Sequence, residues 1–231
     1  MKLKNHYFEA VDFLENMLTT VFKDIEANYE NHLETVNEQY PFERIQIANP
    51  APRISFEEAV KMLSDAGVKQ DLHEDLTTDN EKYLGRLVKE QMQSDFYIVY
   101  NYPKASRPFY TMPNPENPAM TNSYDFFLRG EEILSGAQRI NNRDQLIQSA
   151  RDSGIEIDDD ADNSNETDQT QESKKQHKNA NIVNYADSFK YGAPMHAGAG
   201  LGFERIVKLY LGLDNIRKVS IFPRDPKRLH P

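Results

Sequence analysis

The sequence predicts an α+β domain in which an antiparallel β-sheet is flanked by helices. Three observations favour this class. Residues 11–29 follow a helical period, residues 96–140 contain strand candidates separated by turns rich in proline and asparagine, and the helices and strands occur in runs. Because the order lacks the regular βαβ alternation that builds parallel sheets, it favours antiparallel pairing.

The helices are predicted from apolar periodicity and from capping residues. In the first helix the apolar residues recur three or four positions apart, at Val11, Leu14, Leu18, Val21, Ile25 and Tyr29. Ser55 with Glu58 predicts a capping box at the start of a short helix that Gly67 ends. Thr78 with Glu81 predicts the same device at the start of a further helix.

Four strand candidates follow Asp95, at 96–100, 107–112, 124–128 and 131–140. Most are rich in aromatic or β-branched residues, and Pro- and Asn-rich turns separate them. A glycine-rich stretch at 198–202 also has strand-like character and leads into an apolar-periodic helix. These segments are the expected strands of the sheet.

Composition narrows the class of protein. The chain has 231 residues, no cysteine and a formal net charge of −10, enough length for one sizeable domain. The lack of cysteine excludes a disulfide framework and a thiolate metal site. The acidic balance argues against non-specific nucleic-acid binding, which needs a basic surface. With no signal peptide and no apolar run that could span a bilayer, a cytoplasmic protein without membrane contact is expected.

Residues 158–181 differ from the rest of the chain. They include no aromatic residue and no aliphatic residue larger than alanine. Such a segment cannot bury enough apolar surface to offset the entropy lost on ordering. An acidic calcium loop is the alternative, but the glycine and terminal glutamate spacing of an EF-hand is missing. We therefore predict a disordered, low-complexity insertion that divides one domain into 1–157 and 182–231.

The most informative stretch is 198–212, where Gly198, Gly200 and Gly202 precede a helix with Arg205 in its first turn. Glycine lets the backbone approach a ligand closely because no Cβ intervenes. The helix N-terminus favours anions, and a guanidinium pairs with phosphate or stacks on a base. The stretch therefore predicts a nucleotide-binding platform.

Residues 123–140 form a second candidate region, in which charged side chains interrupt two apolar strands. Asp125, Glu132 and Arg139 are unusual in buried strands unless they are paired or contact a ligand. The carboxylates suit Mg²⁺, and Arg139 suits bidentate binding of a carboxylate. The alternative is an internal salt bridge from Arg139 or Arg129 to one of the acids. The residues alone leave both interpretations open.

The glycine-rich region resembles motif 3 of the class II aminoacyl-tRNA synthetases, in the branch that charges aspartate, asparagine and lysine. The resemblance rests on Gly200-Leu201-Gly202-Phe203-Glu204-Arg205 and on residues 211–217 and 221–226. With 103–113 and 130–140 added, the chain resembles the aspartyl-tRNA synthetases of the archaeal and eukaryotic type. The likeness runs from about residue 5 to residue 231, excluding the insertion, and implies part of a class II catalytic core.

The resemblance also implies roles for particular residues. Glu132 is expected to bind ATP-bound Mg²⁺ with Ser135, and Asp125 to lie near the metal. Arg139 is expected to hold the aspartate side-chain carboxylate, and Arg205 to contact the γ-phosphate of ATP. The full expected set is Arg205, Glu132 and Arg139 for catalysis, Glu132, Gly202, Phe203, Glu204 and Arg205 for ATP, Ser135, Arg139 and His196 for aspartate, and Glu132, Ser135 and Asp125 for the metal.

Two points concern geometry. Strict alternation along a strand puts Glu132 on the face opposite Ser135 and Arg139, so their convergence requires a bulge or kink. We predict it at Ser135-Gly136. His196 lies beside the glycine run, and it is expected either to contact substrate or to cap a turn.

The activity implied by the resemblance is ATP-dependent activation of L-aspartate to aspartyl-adenylate, followed by transfer to tRNA(Asp) in a homodimeric enzyme. In that family motifs 1 and 2 and an anticodon-binding barrel lie upstream of the matched region. The chain is therefore expected to be the C-terminal part of a catalytic domain and to be inactive alone.

Three alternatives remain. An asparagine–tRNA ligase shares motif 3, although the wording at 107–112 and 136–140 favours aspartate. An amide-forming ligase acting on free aspartate is a more distant enzyme. A non-catalytic fragment or paralogue would bind nucleotide or a partner without turnover. Arg107 is a candidate contact for substrate or RNA in any of these.

Overall fold

The computed structural model describes residues 1–157 and 180–224 and has a five-stranded sheet at its centre, in the order β1-β2-β3-β4-β5. The strands are β1 (Arg53–Ser55), β2 (Phe96–Tyr100), β3 (Ser123–Leu128), β4 (Glu131–Arg139) and β5 (His196–Leu201). β1 runs parallel to β2, and the other neighbouring strands are antiparallel. The sheet is therefore mixed, with one parallel pair that the sequence did not predict.

Helices flank this sheet, as expected for the α+β class. They are α1 (Phe8–Asn28), α2 (Glu30–Gln39), α3 (Phe56–Asp65), α4 (Thr78–Met92), α5 (Arg143–Asp152), α6 (Ala180–Asp187) and α7 (Phe203–Tyr210). None of these described helices is long and apolar enough to cross a membrane. Most of the predicted insertion, residues 158–179, lies outside the described residues, and its last two positions begin α6.

Two apolar clusters lie on opposite faces of the sheet. On one face, α1 and α7 bury Phe22 and Tyr210 against Phe126. On the other face, α3 and α4 bury Phe56 and Leu84 with aromatic residues of β2 and β3. Successive strand residues point to opposite faces, so this second face also carries the alternate positions of β4 and β5.

A third cluster holds the segment between β2 and β3 in place. Ile140, Leu146 and Val183 form its buried part, with Phe109 and Tyr110 packed against it. The segment 107–112 was predicted as a strand, but it forms a turn with an isolated bridge from Thr111 to β4. Prolines at 108 and 113 explain the difference, because each lacks the N–H donor that a continuous ladder needs.

The helix caps agree with the sequence at one site and differ at the other. Ser55 and Glu58 form the predicted capping box of α3. The predicted cap at Thr78 is wrong, because Thr77 is the N-cap of α4 and its hydroxyl accepts from the Asn80 backbone N–H. Adjacent threonines offer the same hydroxyl, so only the backbone conformation decides between them.

Candidate nucleotide and amino-acid site

A bulge in β4 brings the predicted site residues to one face of the sheet. Phe127 pairs with Glu132 and Phe126 with Leu134, which leaves Ile133 as the extra residue. Glu132 therefore shares a face with Ser135, whose partner Asp125 lies two positions from Phe127. The predicted convergence is confirmed, but the bulge lies at Ile133 rather than at Ser135-Gly136.

Gly136 serves a different purpose from the one predicted for it. A Cβ at this position would lie 2.4 Å from the ring of Tyr124, which is fully buried in the core. The glycine therefore makes room for an aromatic ring of the neighbouring strand and does not kink β4.

Arg139 lies at the end of β4 with neighbours on both sides. His196 pairs with it from β5, and Thr111 pairs with it from the preceding loop. The guanidinium carbon lies 4.2 Å from the centre of the Tyr110 ring, in a cation–π arrangement. Within the described part of the chain its guanidinium has no carboxylate partner, so the internal salt bridge considered for it is not formed.

The side chain of Arg139 lines a cavity of about 260 Å³. The other lining residues are Arg107, Pro108, Tyr110, Thr111, Ser135, Gly136, Ala137 and Gly200. A Cβ on Gly200 would meet nothing within 4 Å, so this glycine leaves open space beside the cavity. An unpaired guanidinium in such a pocket favours an anionic ligand.

Asp125 has a partner that the sequence did not reveal. Both of its carboxylate oxygens accept from Arg107, whose Nη1 also donates to the Ser135 hydroxyl at 3.0 Å. The two charged side chains are only 9 % and 4 % exposed, and Arg107 stacks on the Tyr102 ring at 3.8 Å. Asp125 and Ser135 are thus held by one buried cation, and Asp125 would have to share its oxygens to ligate a metal.

The carboxylate of Glu132 is in a different state. No hydrogen-bond or ion-pair partner for it occurs among the residues that the structure describes. Burial, followed by the charge of Asp125, raises the pKa of Glu132, and the opposing charges of Arg107 and Arg205 only partly offset this. An unpaired carboxylate of this kind gains from a nearby cation.

The neighbouring glutamate is already paired. Both oxygens of Glu131 accept from the Lys208 ammonium of α7, at 2.8 and 3.1 Å. The consecutive glutamates therefore have different roles. Glu131 stabilises the packing of α7, whereas the carboxylate of Glu132 is unpaired in the candidate site.

The donors present fit a magnesium ion that is shared with substrate phosphates. No group of three or more histidine, aspartate or glutamate residues could hold a metal by itself in the described ranges. Mg²⁺ usually takes one or two protein carboxylates and completes its shell with phosphate oxygens and water. Glu132 supplies such a carboxylate, and the hydroxyl of Ser135 lies on the same face.

Helix α4 brings a further acid to this site. A Cβ on Gly85 would lie 2.5 Å from the Cα of Gly130, so the helix and the β3–β4 turn touch through two glycines. Glu81 lies one turn before Gly85 on the same side of α4. Burial and then the charge of Glu132 raise the pKa of Glu81 to about 7.

The glycine-rich stretch forms the predicted strand and helix start. Gly202 is the N-cap of α7 and has no side chain to satisfy the first N–H groups of the helix. The Arg205 guanidinium donates to the Glu132 backbone oxygen at 2.8 Å and so links the start of α7 to β4. A cavity of about 570 Å³ lies here, lined by Glu132, Ile133, Gly200, Leu201, Gly202, Phe203, Glu204, Arg205 and Ile216.

The predicted residues therefore fall into two adjoining groups. The ATP set lines the larger cavity, Ser135 and Arg139 line the smaller one, and Gly200 lines both. His196 lies in the row of Arg139, but its Nδ1 is 3.0 Å from the Pro194 carbonyl oxygen, a contact within its own turn. From the sequence, Glu81 is only a predicted capping residue and Thr111 only a member of the strand and motif predicted around it. Neither is marked as a site residue, because both reach the site through tertiary contacts.

The chain matches the family model described as tRNA synthetases class II (D, K and N) over residues 2–226. It is 46 % identical to the cytoplasmic aspartate–tRNA ligase of Rattus norvegicus and 44 % identical to that of Homo sapiens, over 231 residues in each case. These matches cover 100 % of this chain and 42 % of each relative, so the chain spans less than half of their length.

Solved structures agree with this assignment. The aspartyl-tRNA synthetase from Entamoeba histolytica matches with a TM-score of 0.87 and 39 % identity, over 100 % of this chain and 43 % of that one. The asparaginyl-tRNA synthetase from Pyrococcus horikoshii matches with a TM-score of 0.75 and 26 % identity, over 98 % and 48 %. The chain belongs to the class II tRNA synthetase family. Within that family its relatives at 44–46 % identity are aspartate–tRNA ligases.

Proposed function

We propose that this chain is the C-terminal part of the catalytic domain of an aspartate–tRNA ligase. The complete protein would use ATP to convert L-aspartate to aspartyl-adenylate and would then transfer the aspartyl group to tRNA(Asp). The observation that carries the proposal is the guanidinium of Arg139, which lines a small cavity and has no carboxylate partner in the described residues. The names of the relatives at 44–46 % identity support the same activity.

In the proposed reaction an oxygen of the aspartate α-carboxylate attacks the α-phosphorus of ATP, and the bond to pyrophosphate breaks. The chain's own contribution is positioning and charge stabilisation. Arg139 would hold the substrate's side-chain carboxylate, and the face of β4 would fix its orientation beside the larger cavity. Gly200 and Gly202 would let the nucleotide lie close to the backbone.

The phosphates would lie at the start of α7. Arg205 is exposed there, and its one hydrogen bond in the described residues goes to a backbone oxygen, so its charge remains available to an anion. Glu132 and Ser135 would hold Mg²⁺, and Asp125 would lie near the metal while it remains paired with Arg107. When bound, Mg²⁺ supplies positive charge that neutralises the phosphate oxygens.

The choice of aspartate over asparagine follows from the charge of Arg139. A carboxylate accepts two charge-assisted hydrogen bonds from a guanidinium, whereas an amide presents N–H donors and no charge. Because removing one partner from a buried charge pair costs about 2–5 kcal/mol, the discrimination is roughly 30- to several-thousand-fold. A cytoplasmic location is part of the same proposal, since the named relatives are cytoplasmic enzymes. A homodimer is proposed only from the family resemblance.

The test is Arg139→Gln in the complete protein, measured as kcat/KM for aspartate and for asparagine. We expect kcat/KM for aspartate to fall strongly and ATP binding to change little. The preference for aspartate over asparagine should become smaller. Arg86→Gln is the matched control. Arg86 is an exposed arginine on α4 that stacks on the Tyr83 ring and makes no hydrogen bond or ion pair among the described residues. Full aspartate preference in the Arg139 variant would contradict the proposal.

A further inference from the structure

Thr111 carries a hydroxyl that the fold does not use. The residue is 3 % exposed, and its side-chain oxygen has no hydrogen-bond partner among the described residues. Its backbone N–H donates to the Pro108 carbonyl at 3.0 Å. Buried hydroxyls are rarely left without a partner, so the position needs an explanation.

The backbone sets Thr111 directly opposite Arg139. The Ile140 N–H donates to the Tyr110 carbonyl and the Met112 N–H donates to the Gln138 carbonyl, each at 2.9 Å. These two bonds flank the pair, so Thr111 and Arg139 form a non-hydrogen-bonded antiparallel pair. In such a pair the two side chains lie on the same face at close range.

Both members of the pair line the same cavity of about 260 Å³. One is a cation without a carboxylate and the other is a hydroxyl without an acceptor, within the part of the chain that the structure describes. A carboxylate offers about four lone-pair positions, of which a bidentate guanidinium occupies two. A hydroxyl beside that guanidinium can donate to a third.

We infer that Thr111 is a second binding residue for the side-chain carboxylate of the amino-acid substrate, next to Arg139. The inference rests on the proposed function. The hydroxyl oxygen is itself covered, so binding would require rotation about χ1 to another staggered position that turns it toward the cavity. Because a hydroxyl both donates and accepts, Thr111 adds affinity for carboxylate and for amide, somewhat more for the charged carboxylate, and the larger part of the preference stays with Arg139.

The experiment compares Thr111→Val with Thr111→Ser in the complete protein. Valine keeps the branched shape and removes the hydroxyl, whereas serine keeps the hydroxyl. We expect the valine variant to raise the Kd for L-aspartate about 10- to 100-fold, as for loss of a hydrogen bond to a charged group, and the serine variant to stay within about threefold of the parent. The ratio of aspartate to asparagine affinity should fall by less than about tenfold in the valine variant, because the charged acceptor loses the stronger hydrogen bond, and should be unchanged in the serine variant.

The Tm of the ligand-free variants distinguishes a binding role from a merely structural one. Removing an unsatisfied hydroxyl should leave the ligand-free Tm of the valine variant equal or higher, so weaker binding would not reflect a weaker fold. Unchanged aspartate affinity in the valine variant, or equal losses in valine and serine variants, would overturn the inference. If the valine variant does not fold, Thr111→Ala with Thr111→Ser gives the same comparison.

Arg139→Gln in the same titration separates this inference from the proposed function. If the parent binds aspartate, the Arg139 variant loses this binding and the valine variant keeps it, then only the inference about Thr111 is refuted and the proposed function stands. A parent protein that binds no aspartate refutes the proposed function, and the role of Thr111 with it.

Discussion

Arg107 and Arg139 line the same cavity, yet they are held in opposite ways. Arg107 is buried against Asp125 in a two-oxygen pair and also bonds Ser135. Arg139 stacks on Tyr110 and meets no carboxylate in the ranges that the structure covers. The first cation is neutralised by the fold, and the second has the charge that the proposed function assigns to substrate binding.

The comparison teaches that the role of a charged residue beside the cavity depends on its partners and not on its residue type. The same contrast separates Glu131, which pairs with Lys208, from Glu132, which has no described partner. In each case the paired member stabilises the structure around the cavity. The unpaired member has an electrostatic cost in the free protein that a bound ligand can relieve.

The largest effect is expected from breaking the paired arginine. Arg107→Met leaves Asp125 as a buried, uncompensated carboxylate, which should lower the free energy of unfolding by about 3–5 kcal/mol. Arg139→Met removes only a stacked cation and should cost about 1 kcal/mol or less. Denaturant melts of the two variants measure the difference. Equal losses would show that Arg139 is as structural as Arg107.

The two glutamates sharpen the comparison at the proposed metal site. Glu132→Gln should raise the Mg²⁺ concentration needed for half-maximal activation on the order of tenfold or more, because a hard cation loses its charged ligand. Glu131→Gln should leave that concentration unchanged and lower stability by about 1 kcal/mol or less, as for a partly exposed ion pair. A Mg²⁺ titration of both variants in the complete protein checks this. A larger effect at Glu131 would reverse the assigned roles.

A pair of glycines extends the test to the backbone. Gly136→Ala places a Cβ against the buried Tyr124 ring and should destabilise the fold by about 1–3 kcal/mol, as overpacking does. Gly200→Ala meets no protein atom within 4 Å, so stability should hold while its methyl group narrows the cavities. Thermal melts with and without ATP separate the two effects. Unimpaired ATP binding in the Gly200 variant would show that the ligand does not approach this strand.

The smallest effect concerns pH. Burial and Glu132 raise the pKa of Glu81 from 4.5 to about 7, so the folded state binds more protons than the unfolded state between these values. Stability from this group therefore falls as pH rises from about 4.5 to 7. Glu81→Gln removes that loss of stability. Between pH 4 and pH 8 the free energy of unfolding of the variant should therefore rise relative to that of the parent, by only on the order of 1 kcal/mol because partial exposure screens the charge. Measuring the free energy of unfolding of both proteins from pH 4 to pH 8 checks this, and a constant difference between them would contradict it.

Much of the fold was predictable from local pattern. The strands β2, β3 and β4 and the capping box of α3 follow from aromatic and β-branched runs and from side-chain spacing. The strand predicted at 107–112 was wrong because its prolines interrupt pairing, and β1 was missed because a three-residue strand has no recognisable period. Helix α5 was not predicted, since its apolar residues are few and its stability comes from the third cluster.

The sequence by itself determined the family and the glycine-rich approach to α7, and it predicted Glu132, Ser135, Arg139 and Arg205 as site residues. These depend on residue types at fixed spacing, which a chain displays before it folds. Only the tertiary structure decided which charges are left over. Ile133 is the bulged residue of β4, and Thr111 lies opposite Arg139. Arg107, in the segment between β2 and β3, forms an ion pair with Asp125. Whether two charges pair depends on the distance between them in the folded chain, and a local sequence pattern does not contain that distance.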